Sequence, residues 1–419
     1  MGDRSTNWAG NVTFAAQRLH RPTSLEQLQH LVAGNRRIRS FGTGHSFNRI
    51  ADSDGDRVTV ADLPPSIEVD VERSTVTVGG GVRYGELAQH LHHAGYGLHN
   101  LGSLPHISVA GACATGTHGS GVTNGNLATA VRAVELVTAS GDLATIERGS
   151  PDFPGSVVAL GLLGVVTRVT LDVQPTFEVA QYIYDDLPFD AARANLEAVF
   201  AAAYSVSLFT NWRDPVVNQV WLKHRADDTR GVGRAWIEEL GARAADGPRH
   251  PVPGVDTVSC TEQGGVPGAW HERLPHFKLS FAPSFGEELQ SEYFVPRESG
   301  ADALSAVHSI RELISPVLLI SELRAVAADE LWMSPSYHRD SLAIHFTWVM
   351  DPAAVAPVLV AIEERLAPFA ARPHWGKVFS TEPAVVRALY DRLPHFSALA
   401  IRFDPEGKFR NEFVDRFIP

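Results

Sequence analysis

Cysteine is almost missing from this chain: Cys113 and Cys260 are the only two in 419 residues. Two thiols allow at most one bridge, so a disulfide framework is excluded. Neither lies in a CxxC pair that would bind metal or run thiol exchange. The expected state is two reduced thiols. An excess of positive charge is missing too. Lys and Arg number 36 against 48 Asp and Glu, a formal net charge of -12. Such an acidic surface repels phosphate backbones, which argues against nucleic acid as a partner. No run of about 18 apolar residues occurs, so no membrane-crossing helix is expected. The opening residues MGDRSTNWAGNVTF contain no apolar signal-peptide core, and the expected location is the cytoplasm.

The short cofactor and nucleophile motifs are also missing. No segment fits GxGxxG, because Phe47, Tyr84 and Asn124 stand where the last glycine is needed. Lys377 and Lys408 follow a glycine but precede Val378 and Phe409, so there is no phosphate-binding GxxxxGK[ST] loop. No GxSxG occurs. A Rossmann nicotinamide domain, a P-loop and an α/β-hydrolase are therefore unsupported. The 18 histidines raise the question of a metal. His90, His92 and His93 crowd one predicted helix, but neighbouring helical residues point to different faces. No HExxH-like spacing completes a ligand set, so they read as a solvated face and no metal is expected.

What is present is a globular composition, 44% hydrophobic and 20% charged, long enough for two domains. Thr23-x-x-Glu26 reads as a capping box that starts a helix through Leu25, Leu28 and Leu31. Ile38 to Phe41 reads as a strand. Residues 66–71 and 74–78 read as paired strands, Tyr84 to Ala94 as a helix, and 131–138 with 143–147 as a hairpin turned at Ser140-Gly141. Beyond Pro175 the character changes. Ala301 to Ile314 and Ala353 to Phe369 are helical patterns, the first stopped by Pro316. Residues 251–268 carry three prolines and four glycines, which predicts a long ordered loop or an approach to the site. Trp270-His271-Glu272, Leu274-Pro275-His276 and Leu393-Pro394-His395 read as surface turns.

Three glycine-rich segments fall in the first third: Gly42 to Ser46, Gly79 to Gly81, and Ala114 to Gly121. Glycine allows close backbone approach to a ligand, and successive N–H groups in such turns form anion-binding hollows. Three of them, bracketed by strands, favour a large phosphate-bearing cofactor over ordinary turns. His45, taken alone, reads as a hydrogen-bonded turn histidine.

These segments carry a resemblance. Arg39-Ser-Phe-Gly-Thr-Gly-His45-Ser-Phe-Asn48, Gly79-Gly-Gly-Val-Arg-Tyr-Gly85, Ser103-Leu-Pro-His-Ile-Ser-Val-Ala-Gly111, Thr115-Gly-Thr-His-Gly-Ser-Gly121 and the tail Asp404-Pro-Glu-Gly-Lys-Phe409-x-Asn411 resemble the vanillyl-alcohol-oxidase type of FAD enzyme. Within that type they are most similar to the alditol oxidases, with sugar-lactone oxidases as more distant relatives. The resemblance implies an α+β chain. A PCMH-type FAD-binding domain of two α/β subdomains spans residues 1–178 and 370–419. A substrate domain, 179–369, has an antiparallel sheet flanked by helices that roofs the isoalloxazine. It implies FAD contacts at Gly42, Thr43, Gly44, His45, Ser46, Phe47, Gly102, Ser103, His106, Ala114, Thr115, Gly116, His118, Gly119, Ser120 and Asn411. It also implies a covalent link from His45 to the flavin C8 methyl. Relatives with a second link use a cysteine near the Ser103 position; Ser103-Leu104 here implies a single link, with Cys113 a packed thiol. Glycine at 102 implies an oxygen-accessible flavin, hence an oxidase.

On the substrate side, Glu322 and Arg324 share one face of a predicted strand, and His345 and Thr347 share one face of another, because strand side chains repeat every two residues. Pattern alone leaves open a merely solvated face. The resemblance implies that these four, with Ser103 and Lys377, contact a polyol. It further implies that Arg324 and Lys377 polarise the reacting oxygen, and that His345 or Glu322 takes the proton. Expected partners are a small polyol and O2, acting on a monomer or small homo-oligomer. The competing readings are a sugar-lactone oxidase or dehydrogenase, a binding protein without turnover, and a metal-dependent hydrolase.

Overall fold

The computed structural model describes residues 6–228, 233–281 and 287–419. Short parallel strands open the chain. Leu19–His20, Asp56–Val58 and Ile38–Ser40 form a three-stranded sheet in that order. The helix Leu25–Gly34 makes the crossover and buries Leu28 and Val32. The capping box expected at Thr23 and Glu26 falls one residue later: Ser24 Oγ accepts from Gln27 N at 3.2 Å, and Gln27 Oε1 accepts from Thr23 N at 2.9 Å. Turning Leu28 and Val32 inward starts the first turn at Leu25, which makes Ser24 the cap.

A second sheet is antiparallel, in the order Ile67–Asp70, Thr75–Gly79, Val165–Asp172, Val131–Val137, Leu143–Glu147. Both expected strand pairs are in it. Val76, Val78, Val134, Leu136, Val169 and Leu171 alternate onto its buried face.

The largest sheet has nine strands. Its order is Arg243–Ala244, Glu178–Pro188, Val216–Arg225, Ser205–Thr210, Leu318–Val326, Ser341–Val349, Glu288–Pro296 and Arg372–Pro373, with Gly268–Ala269 added on Glu178–Pro188. Every pairing in it is antiparallel. One face is apolar: Ile344, Phe346 and Trp348 pack in one core with Val307 and Ile362 of the helices Gly300–His308 and Pro352–Leu366. The helix expected to run unbroken to Ile314 stops at His308 and resumes at Arg311. Ser309 Oγ donates to Ala306 O at 2.6 Å, and Ile310 leaves the helical region at φ -113°; a serine that bonds the backbone locally competes with the helix.

The two expected surface turns near residue 270 are largely interior, with Glu272 the one exposed residue of the six. Trp270 is fully buried and stacks on Phe177 with centroids 5.9 Å apart. His276 is buried between Phe209 and Trp221. Polar neighbours in sequence hid a segment that the large sheet needs as filling. Leu393 is likewise buried and starts the helix Leu393–Phe403, while Pro394 and His395 of its turn are exposed as expected.

The C-terminal tail closes on the N-terminal sheet. Asp404 accepts from Lys408 N at 2.8 Å and Phe409 N at 2.7 Å. Lys408 Nζ donates to Val32 O at 2.6 Å and Ala139 O at 2.7 Å. The buried Arg39 guanidinium donates to the carbonyls of Ile50, Leu160 and Phe409. No helix among the described residues is long and apolar enough to cross a membrane.

Candidate active site

A cavity of about 1450 Å³ is lined from both sides, by the glycine-rich segments and by the polar face of the large sheet. That exceeds the roughly 300–1,000 Å³ typical of small-molecule pockets. Its first part is lined by Gly42 to Phe47, Gly80, Gly81, Gly102, Ser103, His106, Ala114, Thr115 and His118, with apolar walls from Leu136, Val157, Leu163 and Val166. This combination suits a flat apolar ring joined to phosphates, and so fits FAD.

His45 has the features of a nucleophile facing that space. Its ring stacks on Trp8 at 5.1 Å, its Nδ1 lies 3.0 Å from Thr43 Oγ1, and its buried Nε2 has no hydrogen-bond partner among the described residues. Burial, then the charges of Lys377, His106 and Arg83, push its pKa down to about 4, so the imidazole is neutral at physiological pH. Its loop is tied to the Lys377 loop. Phe47 N donates to Gly376 O at 2.7 Å, and Asn48 Nδ2 to Trp375 O at 2.8 Å and Lys377 O at 2.7 Å.

Four residues expected at the cofactor lie off the cavity lining. Gly116 ends the helix Val109–Thr115 with φ +71°, which is the left-handed cap glycine favours. Gly119 packs so close that a Cβ would come within 2.4 Å of Leu101 O. Ser120 Oγ donates to Val206 O of the large sheet. Asn411 caps the helix Glu412–Phe417 through Val414 N at 2.9 Å, and its amide donates to Arg49 O, Ile50 O and Asp52 O. Half of the Thr115 to Gly121 motif thus serves turns and packing.

The other part of the cavity is ionic. Glu322, Arg324, His345, Thr347 and Lys377 all line it, with Ser103 beside them. Glu322, His345 and a third residue, Glu292, lie in one row across three neighbouring strands. Arg324 Nη2 lies 2.6 Å from Glu292 Oε1, and its Nε lies 3.7 Å from Glu322 Oε1. Glu292 Oε1 also accepts from His118 Nε2 at 3.1 Å. His276 Nε2 lies 2.8 Å from Glu322 Oε1. Lys377 Nζ donates to Gln290 Oε1 and sits 4.9 Å over the Phe47 ring.

Burial would raise both carboxyls, but Arg324 and the histidines outweigh it and hold Glu292 and Glu322 well below the usual carboxylate range. Burial lowers His345 against the opposing pull of Glu292. Burial lowers Lys377 to about 8, opposed by Glu292 and reinforced by Arg324. Glu292, His276, His374 and Gln290 line this region as well and were missed in the sequence. One signal was there: Glu288, Gln290 and Glu292 alternate with Leu289 and Ser291, the same period-two pattern that marked His345 and Thr347. Among the described residues, no group of three or more His, Cys, Asp and Glu side chains is placed to hold a metal. Cys113 and Cys260 are both free and buried.

The glycine-lined cavity, closed by a large antiparallel sheet with an ionic face, defines the class: a PCMH-type FAD oxidoreductase. A family model described as "FAD binding domain" matches residues 16–147, and one described as "D-arabinono-1,4-lactone oxidase" matches residues 281–417. The fold is similar to cholesterol oxidase from B. sterolicum (TM-score 0.75, 15% identity, 99% of this chain and 96% of that one). It is also similar to a chitooligosaccharide oxidase (TM-score 0.76, 12% identity, 97% and 93%). In sequence the chain is 29% identical to L-gulono-1,4-lactone dehydrogenase of Mycobacterium tuberculosis over 99% of this chain and 98% of that one. It is 53% identical to alditol oxidase of a Streptomyces species over 417 residues, 99% of both chains. The chain belongs to the alditol oxidase family of FAD flavoproteins.

Proposed function

We propose that this chain oxidises a terminal primary alcohol of an alditol, such as xylitol or sorbitol, to the aldehyde. O2 is reduced to hydrogen peroxide, and FAD is held through a single covalent bond at His45. Residues 1–178 and 370–419 form the FAD-binding part and 179–369 the substrate part. The observation that supports this reading best is the ionic face of Glu322, Arg324, His345, Thr347 and Lys377, opening into the cavity that also contains His45. When bound, FAD supplies the acceptor for the hydride leaving the carbinol carbon.

The chain's own residues do the rest. A polyol offers only hydroxyls, so a buried site for it needs matched donors and acceptors. Arg324 and Lys377 donate; Glu322 accepts; Ser103 and Thr347 do either. Each group left unpaired after burial costs roughly 1–3 kcal/mol, which selects for hydroxyl number and configuration. Arg324 and Lys377 stabilise negative charge on the reacting oxygen. His345 is the better proton acceptor of the two candidates. Glu322 is held far down in pKa by Arg324 and His276, which makes it a weak base, whereas His345 is neutral and buried. His345 Nδ1 faces Glu292 Oε2 at 3.7 Å. This carboxylate favours the proton on Nδ1, leaves Nε2 to accept, and stabilises the imidazolium that forms.

The test is to supply purified protein with xylitol, sorbitol and L-gulono-1,4-lactone and measure peroxide. Alditol turnover exceeding lactone turnover supports the reading; the reverse order would move the chain to the lactone oxidases. Flavin fluorescence that stays in an acid-precipitated pellet supports the covalent bond, and its release into the supernatant removes it.

A further inference from the structure

Two strands away from Glu322 and joined to it through His276 lies a buried lysine that no step above uses. Lys223 is on the strand Val216–Arg225 and is 1% exposed. Its Nζ reaches Leu274 O at 2.5 Å, Pro275 O at 3.4 Å and His276 Nδ1 at 3.1 Å. An ammonium has three hydrogens and no lone pair, so these three acceptors satisfy it completely. His276 Nδ1 must then accept, and the ring's one proton is left on Nε2, which points at Glu322 Oε1 from 2.8 Å. The imidazole is kept in place by Phe209 and Trp221, with ring centroids 5.5 Å and 5.0 Å away. Its backbone is anchored to a second polar residue of the cavity, because His276 N donates to Ser103 O at 3.2 Å. Burial and the charge of Lys223 push the His276 pKa down to about 4, with Glu322 opposing and Arg324 reinforcing. Burial lowers the Lys223 pKa to about 7, opposed by Glu322 and reinforced by Arg324, so the lysine is an ammonium on the acid side of that value.

We propose that Lys223 and His276 are positioning residues that hold Glu322 as an ionised, acceptor-only carboxylate, so that the substrate hydroxyl meeting Glu322 must donate. The physical point is the direction of a hydrogen-bond chain. Lys223 donates to His276, His276 donates to Glu322, and Glu322 has only lone pairs left for the cavity. Without Lys223 the ring proton is free to move to Nδ1, toward the carbonyls of Leu274 and Pro275. The bare Nε2 would then face a carboxylate, and relief comes when Glu322 takes up a proton. A protonated Glu322 turns from acceptor to donor, and the pairing with the hydroxyl is lost. The proposal rests on the polyol reading above for its substrate, but not for the state of His276.

Two measurements on the flavin-loaded full chain keep those apart. The first is activity with xylitol in Lys223→Met, His276→Leu and His276→Gln. Loss of one hydrogen bond to a charged group corresponds to about a tenfold or larger rise in KM. Lys223→Met and His276→Leu are expected to raise KM by that factor with kcat changed less than about threefold. They should also add an acid limb to the kcat/KM profile, as Glu322 becomes titratable. His276→Gln, whose amide accepts at one end and donates at the other, should recover most of the loss. Unchanged KM and pH profile in Lys223→Met would overturn the proposal, as would equal losses in His276→Leu and His276→Gln. The second is the ring 15N spectrum of the wild-type protein labelled at histidine, with His276 assigned by its absence in His276→Gln. A single Nε2–H tautomer from about pH 5.5 to about pH 6.5, where Lys223 is still an ammonium, supports the proposal. An Nδ1–H tautomer or an imidazolium in that range overturns it, whatever the substrate proves to be and even if Lys223→Met fails to fold.

Discussion

At Lys377 burial, reinforced by Arg324 and opposed by Glu292, sets an ammonium pKa of about 8. If the charged form is the one that stabilises the reacting oxygen, kcat/KM should fall as pH rises through about 8. Lys377→Arg stays charged across that range, so in an initial-rate pH series any activity it retains should lack the alkaline limb. Lys377→Met should lose at least about a hundredfold in kcat, in line with the loss of one preorganised donor. Flavin absorbance should be unchanged, because the side chain's partners are Gln290 and the Phe47 ring. Full activity in Lys377→Met would remove this residue from the mechanism. His45→Ala should fold and take up flavin, yet release it all on acid precipitation; pellet fluorescence persisting in that variant would place the link elsewhere. At Gly102 an added Cβ would meet His118 O and Thr117 Cγ2 at 3.7 Å, an ordinary contact. Gly102→Val should therefore fold and, if oxygen passes there, consume less O2 relative to turnover with a dye acceptor.

The tail motif is decided at the scale of one element. Asn411 precedes a helix of six residues, Glu412–Phe417. Its two amide hydrogens are shared among the carbonyls of residues 49, 50 and 52, and its oxygen caps that helix. Removing a cap costs about 0.5–2 kcal/mol and stranding buried carbonyls adds roughly 1–3 kcal/mol. Asn411→Ala should therefore lower the unfolding temperature clearly while the KM for polyol stays the same. A variant of unchanged melting temperature that loses flavin would restore Asn411 to the cofactor. The strand Glu288–Pro296 brings both Gln290 and Glu292 to the ionic face, and its register puts Glu292 opposite His345. Here the sequence was legible in kind: alternation marked two of the three strands that meet at this row. The third was passed over because nothing local to it distinguishes a carboxylate facing water from one facing Arg324.

For the whole molecule the buried histidines predict how stability depends on pH. His276 and His374 are held neutral in the fold, with pKa values lowered from 6.5 to about 4 and about 3, in each case mainly by burial. Between those values and 6.5 the unfolded chain binds more protons than the folded one, so their contribution to stability is complete above the unfolded pKa and declines as pH falls. Glu292 and Glu322, depressed in the fold, act in the same direction at lower pH. Thermal unfolding followed at about pH 7.5 and about pH 5 should show a lower midpoint at the acid value. A flat midpoint would mean that these histidines already carry protons in the fold.

Much of the molecule follows from sequence because its causes are local. Glycine-bounded turns and period-two strands mark a cofactor cavity and the shared faces of Glu322 with Arg324 and of His345 with Thr347; it was the family resemblance of the ordered motifs that pointed to His45 and gave those faces a role. Local readings are ambiguous where one pattern has two uses. The glycines at 116 and 119 end a helix and permit a close approach, and Asn411 ties the chain ends together. Which carboxylate meets which cation was decided only by tertiary structure. Lys223 and His276 are 53 residues apart, His276 and Glu322 are 46 apart, and Arg324 and Glu292 are 32 apart. Those contacts depend on strand order and register across the nine-stranded sheet. A charge is also strongly perturbed only once packing has removed the water around it, and burial on that scale is a property of the assembled fold.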